Sequence, residues 1–144
     1  MTQQFIEVVL VEDNPYDAML ALRALKSNNL VNNIVHLEDG ALALDYFFST
    51  GAYEGKELNS RPKVVFLDLK MPKVNGLEVL ERLKSDERTK SIPIVVLTSS
   101  NEDPDIQRCA ALGANSYVVK PVEFENFSKV VKDLGFYWGV LDRL

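Results

Sequence analysis

Apolar residues fall in short, nearly unbroken runs along this chain, and most of the runs stop on a charged or hydroxyl residue. Phe5 to Val11, FIEVVLV, consists of β-formers apart from one glutamate and halts at Glu12-Asp13-Asn14-Pro15. Such a run is too short for a helix and reads as a buried strand. Asn14-Pro15 then opens a helix, with a capping residue before a proline that the first turn tolerates. Ala18, Leu22 and Leu25 repeat at helical spacing, Met19 and Ala21 widen that face, and the helix fades at Ser27-Asn28-Asn29. A second short strand covers Asn33 to Leu37, and a second helix covers about Ala41 to Ser49. The aperiodic TGAYEGKELNSRP that follows is either a specific insertion or a plain solvated connector.

The third strand, ending at Asp68, lies in KVVFLDLKMPKVNG, and a helix follows from Gly76 or Leu77 to about Ser85 with Leu77, Leu80 and Leu83 on one side. Ile92 to Leu97 predicts the fourth strand. Pro104 to Leu112 predicts the fourth helix, started by Asp103-Pro104 and stopped by Gly113. Ser116 to Val119 is the fifth strand, and about Glu123 to Leu134 the fifth helix. Five strands alternating with five helices predict an α/β fold on a doubly wound parallel sheet.

Composition narrows the reading. With 144 residues, 47% of them hydrophobic, the chain suits one domain over 1–144 with a single core and no output domain. A net charge of −5 argues against nucleic acid or an anionic membrane surface as a partner. The single cysteine, Cys109, excludes an internal disulfide and reads as core filling in a reducing compartment. The N-terminus has neither a basic leader nor a spanning apolar run, so a cytoplasmic location is expected.

The chemistry lies where the strands stop. Glu12-Asp13, Asp68, Thr98 and Lys120 each follow or finish a strand, and parallel strands bring their carboxyl ends to one edge. Taken singly, Asp13 reads as a cap and Lys120 as a solvated surface lysine. Taken together, three carboxylates repel one another beyond what one lysine offsets, and a hard divalent cation such as Mg2+ or Mn2+ fits the all-oxygen set. Charge then sums formally to zero, leaving room for a phosphoryl group. Asp68 is the expected nucleophile, Lys120 offsets charge on the transferred group, and Thr98 donates a hydroxyl.

With the acidic pair, Asp68 followed by Met71-Pro72 and Gly76, Thr98 and Lys120-Pro121, the chain resembles the response-regulator receiver family. Thr98 lies 30 residues and Lys120 52 residues after Asp68, the separations of that family. The resemblance implies a flavodoxin-like (βα)5 fold with strand order 2-1-3-4-5 and a role in a two-component phosphorelay. Asp68 would accept phosphate from a sensor histidine kinase or a small phosphodonor. Asp13, Asp68 and the Lys70 backbone carbonyl would hold the metal, with Glu12 acting through water. Thr98 and Tyr117 would form the switch pair and Lys120 the phosphate contact. No enzymatic turnover is implied beyond self-phosphorylation and self-dephosphorylation.

The loop at Gly51-Ala52-Tyr53, the run Asp68 to Lys73, and Phe136-Tyr137-Trp138 are further similar to single-domain regulators paired with cyanobacterial bacteriophytochromes. That likeness implies a phytochrome kinase as partner, with a downstream phosphotransfer protein as a further one. Lys70 departs from the asparagine of that position, which bears on ligand affinity and phosphate lifetime. The apolar tail at about 135–144 packs either on its own domain or on a second copy, through the face of the fourth helix, fifth strand and fifth helix.

Three other readings compete. A magnesium-dependent hydrolase with an aspartyl-phosphate intermediate wants an acid two residues after its nucleophile, where Lys70 stands. A flavin module wants a glycine- and hydroxyl-rich phosphate loop, where Glu12-Asp13-Asn14-Pro15-Tyr16-Asp17 would repel phosphate. A docking module that takes no phosphate has no need of all five pocket residues.

Overall fold

A computed structural model describes residues 7–26, 33–55, 64–71, 74–99 and 104–120. The fifth helix and the apolar tail expected after Pro121 lie outside these residues, as does most of the 51–62 loop. The element order is β1 (Glu7–Val11), α1 (Pro15–Lys26), β2 (Asn33–Leu37), α2 (Gly40–Phe48), a 3-10 turn (Gly51–Tyr53), β3 (Val64–Asp68), α3 (Gly76–Ser85), β4 (Ile94–Thr98), α4 (Asp105–Leu112) and β5 (Ser116–Val119). All strand pairs are parallel and the sheet order is β2-β1-β3-β4-β5.

Strand periodicity divides the core in two. Val9, Val11, Val65, Leu67, Ile94 and Val96 point to the face covered by α2, α3 and α4, where they meet Ala43, Phe47, Val79, Leu80, Leu83 and Cys109. The alternate residues, Val8, Leu10, Val64, Phe66, Val95, Leu97 and Val118, point to the other face and pack on Ala18, Ala21 and Leu25 of α1. The strands read as continuous apolar runs because both faces of the sheet are covered. Cys109 is core filling, 2% exposed.

Local chemistry sets the element ends. Asn14 Oδ1 accepts from the amides of Tyr16 and Asp17, Asp39 Oδ1 from Leu42, and Asn75 Oδ1 from Glu78, so α1, α2 and α3 each start on a polar cap. Gly113 ends α4 at φ 106°, a left-handed conformation that suits glycine. β4 begins at Ile94 rather than at the expected Ile92. The Ile92 amide donates to Thr89 in the preceding turn, and Pro93 gives the ladder only a carbonyl, which accepts from Val65.

Candidate functional site

The same periodicity aims the polar residues. Asp68 continues the Val64, Phe66 series, Glu12 follows Leu10 by two, and Lys120 follows Val118 by two, so all three share the face toward α1. Thr98 follows Val96 and lies on the opposite face, as does Tyr117, which pairs with Val96 in the β4–β5 register. The acids and the lysine therefore converge from one side of the sheet edge. Thr98 and Tyr117 are on the other, two register positions apart on adjacent strands.

Lys120 is the centre of the cluster. Its Nζ lies 2.6 Å from Glu12 Oε1, 3.2 Å from Asp68 Oδ1 and 3.2 Å from Asp17 Oδ2. The Asp17 contact is a hydrogen bond, and the Glu12 contact is the shortest of the three ion pairs. The Lys120 amide donates to the Thr98 carbonyl at 2.6 Å, which ties the end of β5 to the end of β4. Burial opposes the charge on Lys120, but its hydrogen bond to Glu12 and the charges of Asp68 and Glu12 outweigh that and raise its pKa above the ordinary lysine value.

Glu12 is 1% exposed and Asp68 4%. Burial pushes the Glu12 carboxyl up to about 7; the hydrogen bond and charge of Asp68 push the same way, and the Lys120 ammonium pulls against them. Three backbone contacts pin this corner. The Glu12 amide donates to Leu37 at 3.1 Å, Glu12 Oε2 accepts from the Asn14 amide at 3.2 Å, and His36 Nε2 lies 3.0 Å from the Glu12 carbonyl oxygen.

Past β3 the chain turns tightly. The Lys70 amide donates to Asp68 Oδ1 at 3.3 Å, and the Gly76 amide to the Leu69 carbonyl at 2.9 Å. A Cβ at Gly76 would collide with the Asp68 carbonyl oxygen and the Leu69 Cα, so only glycine lets the start of α3 approach the end of β3. Above the cluster opens a cavity of about 240 Å³ lined by Asp13, Asn14, Asp17, Asp68, Leu69, Lys70, Leu97, Thr98, Ser99 and Lys120.

Glu12, Asp13 and Asp68 each present a carboxylate oxygen, and these oxygens lie within 4.8 Å of one another. Hard oxygen donors in that number suit a divalent cation of the magnesium or manganese kind.

Asp13, Asp68, Lys70, Thr98 and Lys120 thus line one cavity, and Glu12 is buried beside it against Lys120. Tyr117 stays out of it, 43% exposed in the groove between β5 and α4. Asp17 was not anticipated. The available signal was its position four residues after Asp13, in the first turn of α1, the helix that faces Glu12, Asp68 and Lys120. With Asp17 counted, four carboxylates face one lysine, so a divalent cation leaves one formal negative charge rather than none.

Comparison with known proteins matches residues 8–132 to the response regulator receiver domain. The chain is 43% identical to the probable methanogenesis regulatory protein FilR2 of Methanothrix harundinacea, over 91% of this chain and 82% of that one. It is 33% identical to response regulator Rcp1 of a Synechocystis strain, over 91% and 87%. Among solved structures, the bacteriophytochrome response regulator RtBRR superposes with a TM-score of 0.83 at 46% identity, covering 92% of this chain and 79% of that one. The phosphorylated cyanobacterial phytochrome response regulator RcpA gives 0.78 at 35%, covering 94% of each. The Mn(2+)-bound form of Rcp1 gives 0.76 at 32%, covering 92% and 94%.

Proposed function

We propose, from the premise that this chain belongs to the response-regulator receiver family, that it signals by taking a phosphoryl group on Asp68. The observation that carries this is the placement of Asp68: a carboxylate 4% exposed at the end of β3, facing an open cavity, with the Lys120 ammonium 3.2 Å away and two further acids beside it. In the transfer an Asp68 oxygen forms a bond to phosphorus while the donor's P–N or P–O bond breaks. The donor leaves with its electron pair, as the neutral imidazole of a kinase histidine once protonated, or as the carboxylate of a small acyl phosphate.

Glu12, Asp13, Asp68 and the Lys70 carbonyl would hold Mg2+, which when bound neutralises charge on the phosphoryl oxygens. Lys120 moves its ammonium from Asp68 onto a phosphoryl oxygen, and the Thr98 hydroxyl donates to another. Thr98 lines the same cavity, so its hydroxyl is drawn toward the phosphoryl group. Tyr117, its neighbour on the same face, then has space to turn inward and change the α4–β5 surface. That surface, with the tail, is the proposed readout and the face for a homodimer.

Resemblance to the phytochrome-linked regulators supports a phytochrome histidine kinase as phosphodonor, in the cytoplasm, with a phosphotransfer protein as downstream recipient. Among the described residues no helix is long and apolar enough to cross a membrane.

Intact-mass spectrometry after incubation with a small acyl phosphate and Mg2+ tests the reading. One added phosphoryl group on the wild type and none on Asp68→Asn is the expected result. An unmodified wild type, with the small donor and with a competent kinase, overturns it.

A further inference from the structure

We propose that Asp17 is a positioning residue for phosphoryl transfer, acting through Lys120; this rests on the reading of Asp68 as the phosphoacceptor. Three carboxylates share the Lys120 ammonium, and two of them have other work in the reaction. Asp68 gives its oxygen to phosphorus, and Glu12 belongs to the group of acids whose oxygens gather within 4.8 Å for a cation. Asp17 lies outside that group. Its hydrogen bond to Lys120 Nζ, at 3.2 Å, is the contact that neither the ion nor the phosphoryl group claims.

Asp17 is also well placed to stay put. Its amide donates to Asn14 Oδ1 at 3.0 Å, so the cap that starts α1 fixes its backbone, and the next residue, Ala18, is buried against the sheet. The carboxylate lines the cavity and its side chain is 24% exposed, against 14% for Lys120. A fixed acceptor at the mouth holds the flexible lysine's head between Glu12 and Asp17, and leaves Nζ within reach of a phosphoryl oxygen on Asp68. A lysine carries four rotatable side-chain bonds, so holding its head in place removes an ordering cost from the transfer step.

The step itself is that written above: an Asp68 oxygen bonds to phosphorus as the P–O bond of the acyl phosphate breaks, and the carboxylate leaves with the electron pair. Loss of Asp17 should slow this step without weakening metal binding.

The test compares wild type, Asp17→Ala and Asp17→Asn for the rate of phosphorylation by a small acyl phosphate. Donor concentration is varied at saturating Mg2+, Mg2+ affinity is titrated separately, and thermal melting serves as the folding control. Asp17→Ala is expected to lower the maximal rate about tenfold with the donor half-saturation and Mg2+ affinity within about twofold of wild type. Asp17→Asn, which keeps a neutral acceptor of the same shape, is expected to lie between, and it serves alone if the alanine variant fails to fold. A maximal rate equal to wild type in both variants overturns the role of Asp17. So does a slow rate that tracks lost Mg2+ affinity, since that would be a charge effect on the ion. A wild type that takes no phosphoryl group removes the Asp68 reading, and this one with it.

Discussion

Glu12 is the residue whose chemistry is most altered by its surroundings. Buried beside Asp68, its carboxyl titrates near 7 instead of its ordinary 4.5. The folded, metal-free protein therefore holds that proton more tightly than the unfolded chain does. The stabilisation this provides is complete below pH 4.5 and is lost as pH rises through about 7. The melting temperature of metal-free protein should fall over that window, and Glu12→Gln, which cannot lose a proton, should flatten the fall. Protons and a divalent cation compete for the same carboxylates, so Mg2+ should raise the melting temperature more above pH 7 than below it. Asp68, Glu12 and Lys120 were legible in the sequence because each ends or directly follows a strand. Asp17 was not, because its partner lies 103 residues away, and an acid in the first turn of a helix is otherwise explained by the helix dipole.

At the scale of elements, the site depends on how closely α3 follows β3. Gly76 permits that approach, and Gly76→Ala would drive a methyl group into the Asp68 carbonyl and the Leu69 backbone. We expect a loss of about 1–3 kcal/mol in urea denaturation, together with slower phosphorylation, because relief of the clash moves the residue that carries the nucleophile. The strands were readable as apolar runs, and the helix starts as Asn or Asp caps. The start of β4 was not, since Ile92 is as apolar and as buried as the strand that follows it, yet its amide is spent on a turn. Hydrophobic pattern reports burial, whereas strand membership depends on where each amide finds its acceptor.

For the molecule as a whole, the sheet order β2-β1-β3-β4-β5 places β1 and β3 side by side with β4 and β5 beyond, so the acids and the lysine meet although they are distant in sequence. The alternation of the strands also separates two tasks. Acids and lysine face α1, where phosphoryl chemistry is expected, while Thr98 and Tyr117 face α3 and α4, where a change can reach the surface. Should phosphorylation promote self-association through the α4–β5 side, light scattering at micromolar concentration will show a rise in mass on phosphorylation that Tyr117→Ala reduces. Whether Asp68 itself forms the acyl phosphate is read directly by reducing the phosphorylated protein with borohydride and mapping its peptides. Conversion of residue 68 alone to homoserine is the result expected. Homoserine at position 13 or 17, 5-hydroxynorvaline at position 12, or a borohydride-resistant phosphate on Thr98, would contradict it.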